Sequence, residues 1–442
     1  MSTTPAASRQ RFGEIRRLAW PIIISNISVP LLGLVDTAVV GHLPDARYLA
    51  AVTLGATLFS FLFWGFGFLR MGTTGLAAQA YGADDDQALR NLLGQSLVIA
   101  LGLGAALIVL SEPLIDAGLW LLHGEPDTRA LAEGYAHIRI LAAPAVLINY
   151  AIIGWFLGQQ NSRVTLILML TTNGLNIVLD LLFVLGFGMT SNGVATASAL
   201  AEYATLGVGI MLVRQRLGRL SGGFDARPLK QLSAYATLFR VNRHLFVRTL
   251  CLLFAMAFFT SQGARLGDTP LAANAVLMQL VMMTSYGLDG FANAAEALTG
   301  RAAGRHDWQD FAITVRACLL LSLLTAGGAS LIFALWGSDL IALLTDLASV
   351  RNFADRYLGW IILMPLVAVW SYLFDGVFIG ATATRPMRDT LILAVAFYLP
   401  TWWLTQPLGN HGLWLAFTLF TLVRSAGLGG VYLYRRRHDW RE

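Results

Sequence analysis

The sequence predicts an all-α polytopic membrane protein of twelve transmembrane helices, in two six-helix lobes related by a pseudo-two-fold axis along the membrane normal. Three observations carry that reading. The 442 residues are 56% hydrophobic and 13% charged, whereas a soluble globular domain carries about 25% charged residues. Twelve runs are apolar enough and long enough to cross a bilayer. Finally, the chain repeats itself: Gly154-Trp155-Phe156-Leu157-Gly158 followed by Arg163 returns as Gly376-Val377-Phe378-Ile379-Gly380 followed by Arg385, and Gly82 returns as Gly304, all at an offset of 222 residues. An even number of spans per half gives both copies the same orientation, hence parallel repeats with a transport route expected between them.

The runs extend over 15–41, 48–71, 89–111, 131–157, 164–187, 193–214, 240–260, 270–292, 311–335, 352–379, 387–407 and 411–434. They divide into an N-terminal lobe, 1–220, and a C-terminal lobe, 221–442, joined by a polar Arg- and Gly-rich linker at 215–235. The first span carries Pro21 and Pro30, and a proline inside a helix removes a backbone hydrogen bond, so this helix is expected to bend. Asp84, Asp85 and Asp86 follow the second span and read as a helix start, where the dipole favours negative charge.

Arginine placement orients the spans. With Arg9, Arg11, Arg16 and Arg17 inside, only Arg47, Arg129, Arg139, Arg265, Arg351 and Arg356 fall outside, and Arg424 lies unassigned within the last span. That satisfies the positive-inside rule with both termini cytoplasmic. The net charge of +5 therefore reflects topology, and no nucleic-acid partner is expected. The first span is too long for a signal peptide, lacks a small-residue cleavage site and is read as retained. Cys251 and Cys318 both fall in spans, which suggests neither a disulfide framework nor a metal site.

Asp36 sits inside an apolar span, where a charged side chain costs about 2.5–3.5 kcal/mol on insertion scales and is therefore read as functional. Asn173, Asn176 and Asp180 share one face of the fifth span. At 1.5 Å per residue, Asp180 lies about 26 Å above Arg163 and Asp36 about 28 Å above Arg17, so the two acids reach the same depth. Like charges held close in low dielectric share a proton or hold a cation, the chemistry of a coupling site. Glu202 and Tyr203 offer a third carboxyl and a hydroxyl. In the second lobe, Arg243, His244 and Arg248 match Asp289, Glu296 and Asp375 in depth and read as a buried ion-pair cluster. Met278, Met282 and Met283 with Phe254, Phe258 and Phe259 give the same lobe a soft apolar lining, a candidate substrate cavity.

LVDTAVVGHL at 34–43, QAYGADD at 79–85 and the duplicated halves resemble the multidrug and toxic compound extrusion (MATE) transporters along nearly the whole chain. VNRHLFVRTL at 241–250, LDGFANAAEAL at 288–298 and FDGVFIGAT at 374–382 resemble its DinF subfamily, with His244 where that subfamily usually has Asp. The resemblance implies cation-driven export of amphiphilic, often cationic compounds, with Asp36, Asn176 and Asp180 matching the first-lobe polar site and Pro21 the proline at which the first helix bends. It leaves H+ and Na+ open as the coupling ion, with proton antiport the preferred expectation and no resident cofactor or metal. A monomer in the bacterial inner membrane is expected, its partners small-molecule drugs and lipid. Two rival readings differ in class. A lipid or lipid-linked saccharide flippase of the wider superfamily would need a cavity rich in arginine, and an intramembrane enzyme would need a motif such as H-E-x-x-H or G-x-S-x-G, which is absent.

Overall fold

The computed structural model describes the backbone of residues 5–41, 45–122, 126–223, 225 and 227–438, with the side chains at 5–9, 34, 36, 37, 40, 46, 437 and 438 outside the description. Among the described residues all regular structure is helical. In chain order the helices are α1 (Pro5–Gly41), α2 (Ala46–Gly65), α3 (Phe68–Gly82), α4 (Asp86–Val109), α5 (Ser111–Leu122), α6 (Pro126–Ile140), α7 (Ala143–Gly158), α8 (Ser162–Asp180) and α9 (Ser191–Leu217). There follow α10 (Arg227–Lys230), α11 (Ala236–Arg265), α12 (Asp268–Gly304), α13 (Trp308–Leu344), α14 (Ala348–Asp355), α15 (Leu358–Gly380), α16 (Thr384–Thr405) and α17 (Asn410–His438). Among the described residues eleven helical stretches are long and apolar enough to cross a membrane, and the bent pair α6–α7 makes twelve if it is one span.

Three of the expected spans are divided: 48–71 at Phe66–Gly67 between α2 and α3, and the runs 131–157 and 352–379. The run 131–157 breaks at Leu141–Ala142 with a bend of 50° between α6 and α7. Pro144 stands at the start of α7, where its missing N–H is tolerated, but it cannot continue the hydrogen-bond ladder of α6. The run 352–379 divides at Arg356–Tyr357 into α14 and α15. By contrast α1 runs unbroken through Pro21 and Pro30.

The chain forms two compact units, one from Ile24 to Asn242, the other comprising α1 up to Ile23 together with the chain from Arg243 onward. The first is centred on Trp155, buried with Leu89, Leu93, Val164 and Leu168, its indole donating to the Leu89 carbonyl at 2.9 Å. The second is centred on an aromatic cluster in which Phe259 meets Trp414 and Phe417 at ring distances of 4.9 and 5.0 Å. There Arg11 near the start of α1 bonds Glu14 and Asp310, and Arg301 lies 3.3 Å from Glu14, tying α1 to α12 and α13.

The duplication is written into the backbone. Among the described residues four non-glycine residues adopt positive φ, and they form two pairs at the repeat offset, Asp84 with His306 and Gln160 with Thr382. The acids after each turn also repeat: Asp85 caps α4 through the Ala88 N–H and Asp307 caps α13 through the Asp310 N–H. In both units a helix repeating the Gly motif packs backbone to backbone on its neighbour. A Cβ on Gly158 would stand 2.6 Å from the Thr74 carbonyl oxygen, and one on Gly380 2.4 Å from that of Glu296. Only glycine permits that approach.

The linker is docked rather than loose. Arg90 on α4 donates to the carbonyls of Leu217, Leu220 and Ser221 at 2.6–2.9 Å, and Asp86 accepts from the Ser221 N–H and hydroxyl. Farther on, Tyr235 bonds the Leu229 carbonyl and Gln95 the Ala234 carbonyl. Within the linker, the Arg227 guanidinium beside Asp225 holds that carboxyl below its ordinary range.

Candidate functional site

The polar face expected on the fifth span is present on α8. Asn173, Asn176 and Asp180 are 8%, 3% and 0% exposed, inside a helix otherwise rich in Leu, Ile and Val. Immediately after Asp180 the backbone widens into a π-helical turn, Leu181–Gly186. Such turns recur where a helix gives up regular bonding to place side chains at a site. The amides are committed to neighbouring helices: Asn173 donates to the Ser28 hydroxyl of α1 at 2.6 Å and Asn176 to the Ser198 hydroxyl of α9 at 2.7 Å. One turn below, Thr172 and Thr205 pair at 2.9 Å. The face of α8 that carries Asp180 is thus stitched to both α1 and α9. The Asn176 oxygen is buried and receives no hydrogen bond from the described residues.

Asp36 lies on α1, eight residues beyond Ser28 and so just over two turns along the same helix. Its side chain is outside the described residues, so its place relative to Asp180 is not part of the geometry. Glu202 stands elsewhere in the network. It accepts from Asn149 on α7 at 3.1 Å and faces Arg139 on α6 at 3.8 Å. Tyr203 donates to the Leu141 carbonyl at 2.7 Å, at the break between those two helices.

In the other unit, Asp375 on α15 is buried and receives both Arg248 from α11 and Arg424 from α17 on the same oxygen. The Arg424 guanidinium also lies over the Tyr372 ring, 5.9 Å from its centre. His244 is buried and meets Arg388 of α16 at 3.1 Å, whereas Arg243 is exposed. Glu296 is buried on α12, and the Asp289 carbonyl accepts from Asn293 one turn on.

Of the expected apolar lining, Phe258 and Met278 pack against the aromatic core, Phe258 meeting Tyr398 and Trp402 edge-on at 5.3 and 5.1 Å. Phe254 and Met283 are exposed, Met282 half-buried and Phe259 buried. A small cavity in this unit is lined by Ser285, Phe333, Met364, Pro365 and Tyr372, with neither Met278 nor Met282 on its wall.

Sequence reasoning missed Ser28, Ser198, Asn149, Arg139, Arg388 and the partner of Arg424. Serines in apolar helices bond their own backbone so often that type alone gives no signal. Asn149, Arg139 and Arg424 did carry one, since each is a costly side chain within an apolar run.

The MatE family model matches residues 21–182 and 232–404, one segment in each half. DNA damage-inducible protein F of Escherichia coli is 46% identical over 427 residues, 96% of this chain and 92% of its own length. Probable multidrug resistance protein NorM of Acinetobacter baylyi is 26% identical over 457 residues, 98% of each chain. Among solved structures, MATE in the bent conformation superposes with a TM-score of 0.85 at 20% identity over 99% of this chain and 100% of that one. A MOP superfamily transporter from Pyrococcus furiosus gives 0.84 at 21% identity over 99% of both. A match that takes in both halves, a relative sharing nearly half its residues along almost the whole length and the common fold lead to one conclusion: the chain belongs to the MatE family of multidrug and toxic compound extrusion proteins.

Proposed function

We propose that the protein is a proton-coupled exporter of amphiphilic, often cationic compounds, a monomer in the bacterial inner membrane with both termini in the cytoplasm. The observation that carries the reading is the buried Asn173-Asn176-Asp180 face of α8, an acid and two amides in an apolar span, hydrogen-bonded to α1 and α9. An acid kept there serves a function. Asp36 and Asp180 take up the coupling proton. Discharging them removes a desolvation penalty, alters the bonds by which Asn173 and Ser28 hold α1, and lets α1 bend at Pro21. The membrane potential supplies about 2.3 kcal/mol per charge per 100 mV, enough for modest uphill export.

Efflux of a cationic dye from proteoliposomes, driven in turn by a proton gradient and by a sodium gradient, tests the proposal. Proton-driven transport in the wild type, lost in Asp180→Asn, is the expected outcome. Wild-type transport by Asp180→Asn removes α8 from the site. Transport driven by sodium alone overturns the proton assignment and hands the same oxygens to Na+.

A further inference from the structure

Glu202 is bound to both arms of a broken helix. α6 and α7 meet at Leu141–Ala142 with a 50° bend, and Pro144 has no N–H to return to the carbonyl four residues back. That carbonyl belongs to Ile140, and the next one along, of Leu141, is taken by the Tyr203 hydroxyl at 2.7 Å. The neighbouring carboxylate, Glu202, accepts from Asn149 in the α7 arm at 3.1 Å and lies 3.8 Å from Arg139 in the α6 arm. Two successive residues of α9 therefore grip the break and the helix on either side of it.

The less buried arm is α6. α7 is buried along most of its length, with twelve of its residues out of contact with surroundings, whereas α6 buries five. Arg139 lies over the Phe63 ring at 5.1 Å, and its buried Nη1 donates to no described residue. Glu202 is the carboxylate paired with that guanidinium. The ionisable groups facing Glu202 are Arg139 from α6 and the Tyr150 phenol from α7. The other elements packed on α9 contribute Asp180 from α8 and, at the far end of α2, Arg47, which is paired with Asp45 and Asp127.

We propose that Glu202 is a second protonation site and acts as the clasp of the α6–α7 hinge. As a carboxylate it holds the Arg139 arm to the Asn149 arm. When a proton from the outer aqueous phase binds its oxygen, the ion pair is lost while Arg139 keeps its charge, because a guanidinium does not give up its proton within the working range. A buried guanidinium left without its partner is strongly disfavoured, so the α6 arm swings to rehydrate it. The inference rests on the proton-coupled reading above and adds to it a positioning role for a carboxyl outside the α8 face.

The experiment compares wild type, Glu202→Gln, Arg139→Gln and the double variant in proteoliposomes. It reads deuterium exchange of backbone amides in 138–146 at fixed pD, and the pH profile of proton-driven dye efflux. Glu202→Gln should exchange at 138–146 about tenfold faster than wild type at neutral pD, a coupling of ordinary size, with the difference vanishing at acid pD where the wild-type carboxyl is already protonated. Its efflux profile should lose one titrating limb. The double variant leaves no lone charge to prevent folding and should still exchange faster than wild type because the clasp is gone, but more slowly than Glu202→Gln, in which Arg139 is left buried without its partner. Wild-type exchange and an unaltered pH profile in Glu202→Gln, or wild-type exchange in the double variant, overturn the clasp. If Asp180→Asn remains inactive in that case, the coupling reading survives without it, whereas full activity in Asp180→Asn brings down the reading itself.

Discussion

A carboxylate that accepts two guanidiniums through one oxygen has little capacity left for a mobile cation. Asp375 is in that position, buried with Arg248 and Arg424, and its role follows from charge accounting: remove the acid and two arginines face each other in low dielectric. Breaking a buried pair by deleting one partner costs about 3–5 kcal/mol. Asp375→Asn should therefore unfold well below wild type when thermal denaturation is followed in detergent, and its loss of transport should track its loss of folded protein. A variant that melts like wild type yet fails to couple transport to the gradient would make Asp375 a cation site instead. The residue scale is also where sequence reading reached its limit. Composition singled out Asp180, Asn173 and Asn176 because polar groups are conspicuous in an apolar run, and the helical spacing put them on one face. It could not supply Ser28 or Ser198, and it grouped Arg248 and Asp375 by depth while leaving Arg424 without a partner. Partner choice depends on how helices are rotated against one another, which no single helix encodes.

Helix ends and breaks decide what the elements can do. The run 131–157 reads as one span because Leu141, Ala142 and Ala143 stay apolar across the junction, and the clue to the break, Pro144, occupies a position that helix starts favour. Gly104 of α4 lies against that start, a Cβ there standing 2.5 Å from the Pro144 Cα, so the kinked segment fits closely on its neighbour. The linker was legible as a polar connection but not as a docked one, since three carbonyls held by Arg90 leave no trace in composition. Each such bond contributes about 1 kcal/mol net. Arg90→Ala should thus expose the end of α9, and limited trypsin digestion should cut after Arg219 at least about fivefold faster than in wild type. Unchanged cleavage would show that Asp86, Gln95 and Tyr235 suffice to hold the segment.

At the scale of the whole molecule, the duplication was the most legible feature, because a repeated G-x-F-x-G-x4-R string survives where the residues around it have diverged. The structure gives that string a physical reason. Gly158 and Gly380 sit where two helix backbones approach too closely for a side chain, and the facing residues, Thr74 and Glu296, are separated by the same 222 positions although their chemistry differs. Selection on such a seam acts on the absence of a Cβ and is blind to what the partner's side chain does. Adding the methyl should force the backbones apart at about 1–3 kcal/mol per site, the usual cost of overpacking. Because the two seams lie in different compact units and share no partner, Gly158→Ala and Gly380→Ala should lower stability by similar amounts, and the double variant by their sum to within about 0.5 kcal/mol. Thermal or denaturant unfolding of the purified protein measures all three. A double variant much less stable than the sum would mean that the units fail together, so that each seam supports the other's fold. A much smaller loss in one single variant would mean that one copy has already relaxed, and that only the tighter seam still requires glycine.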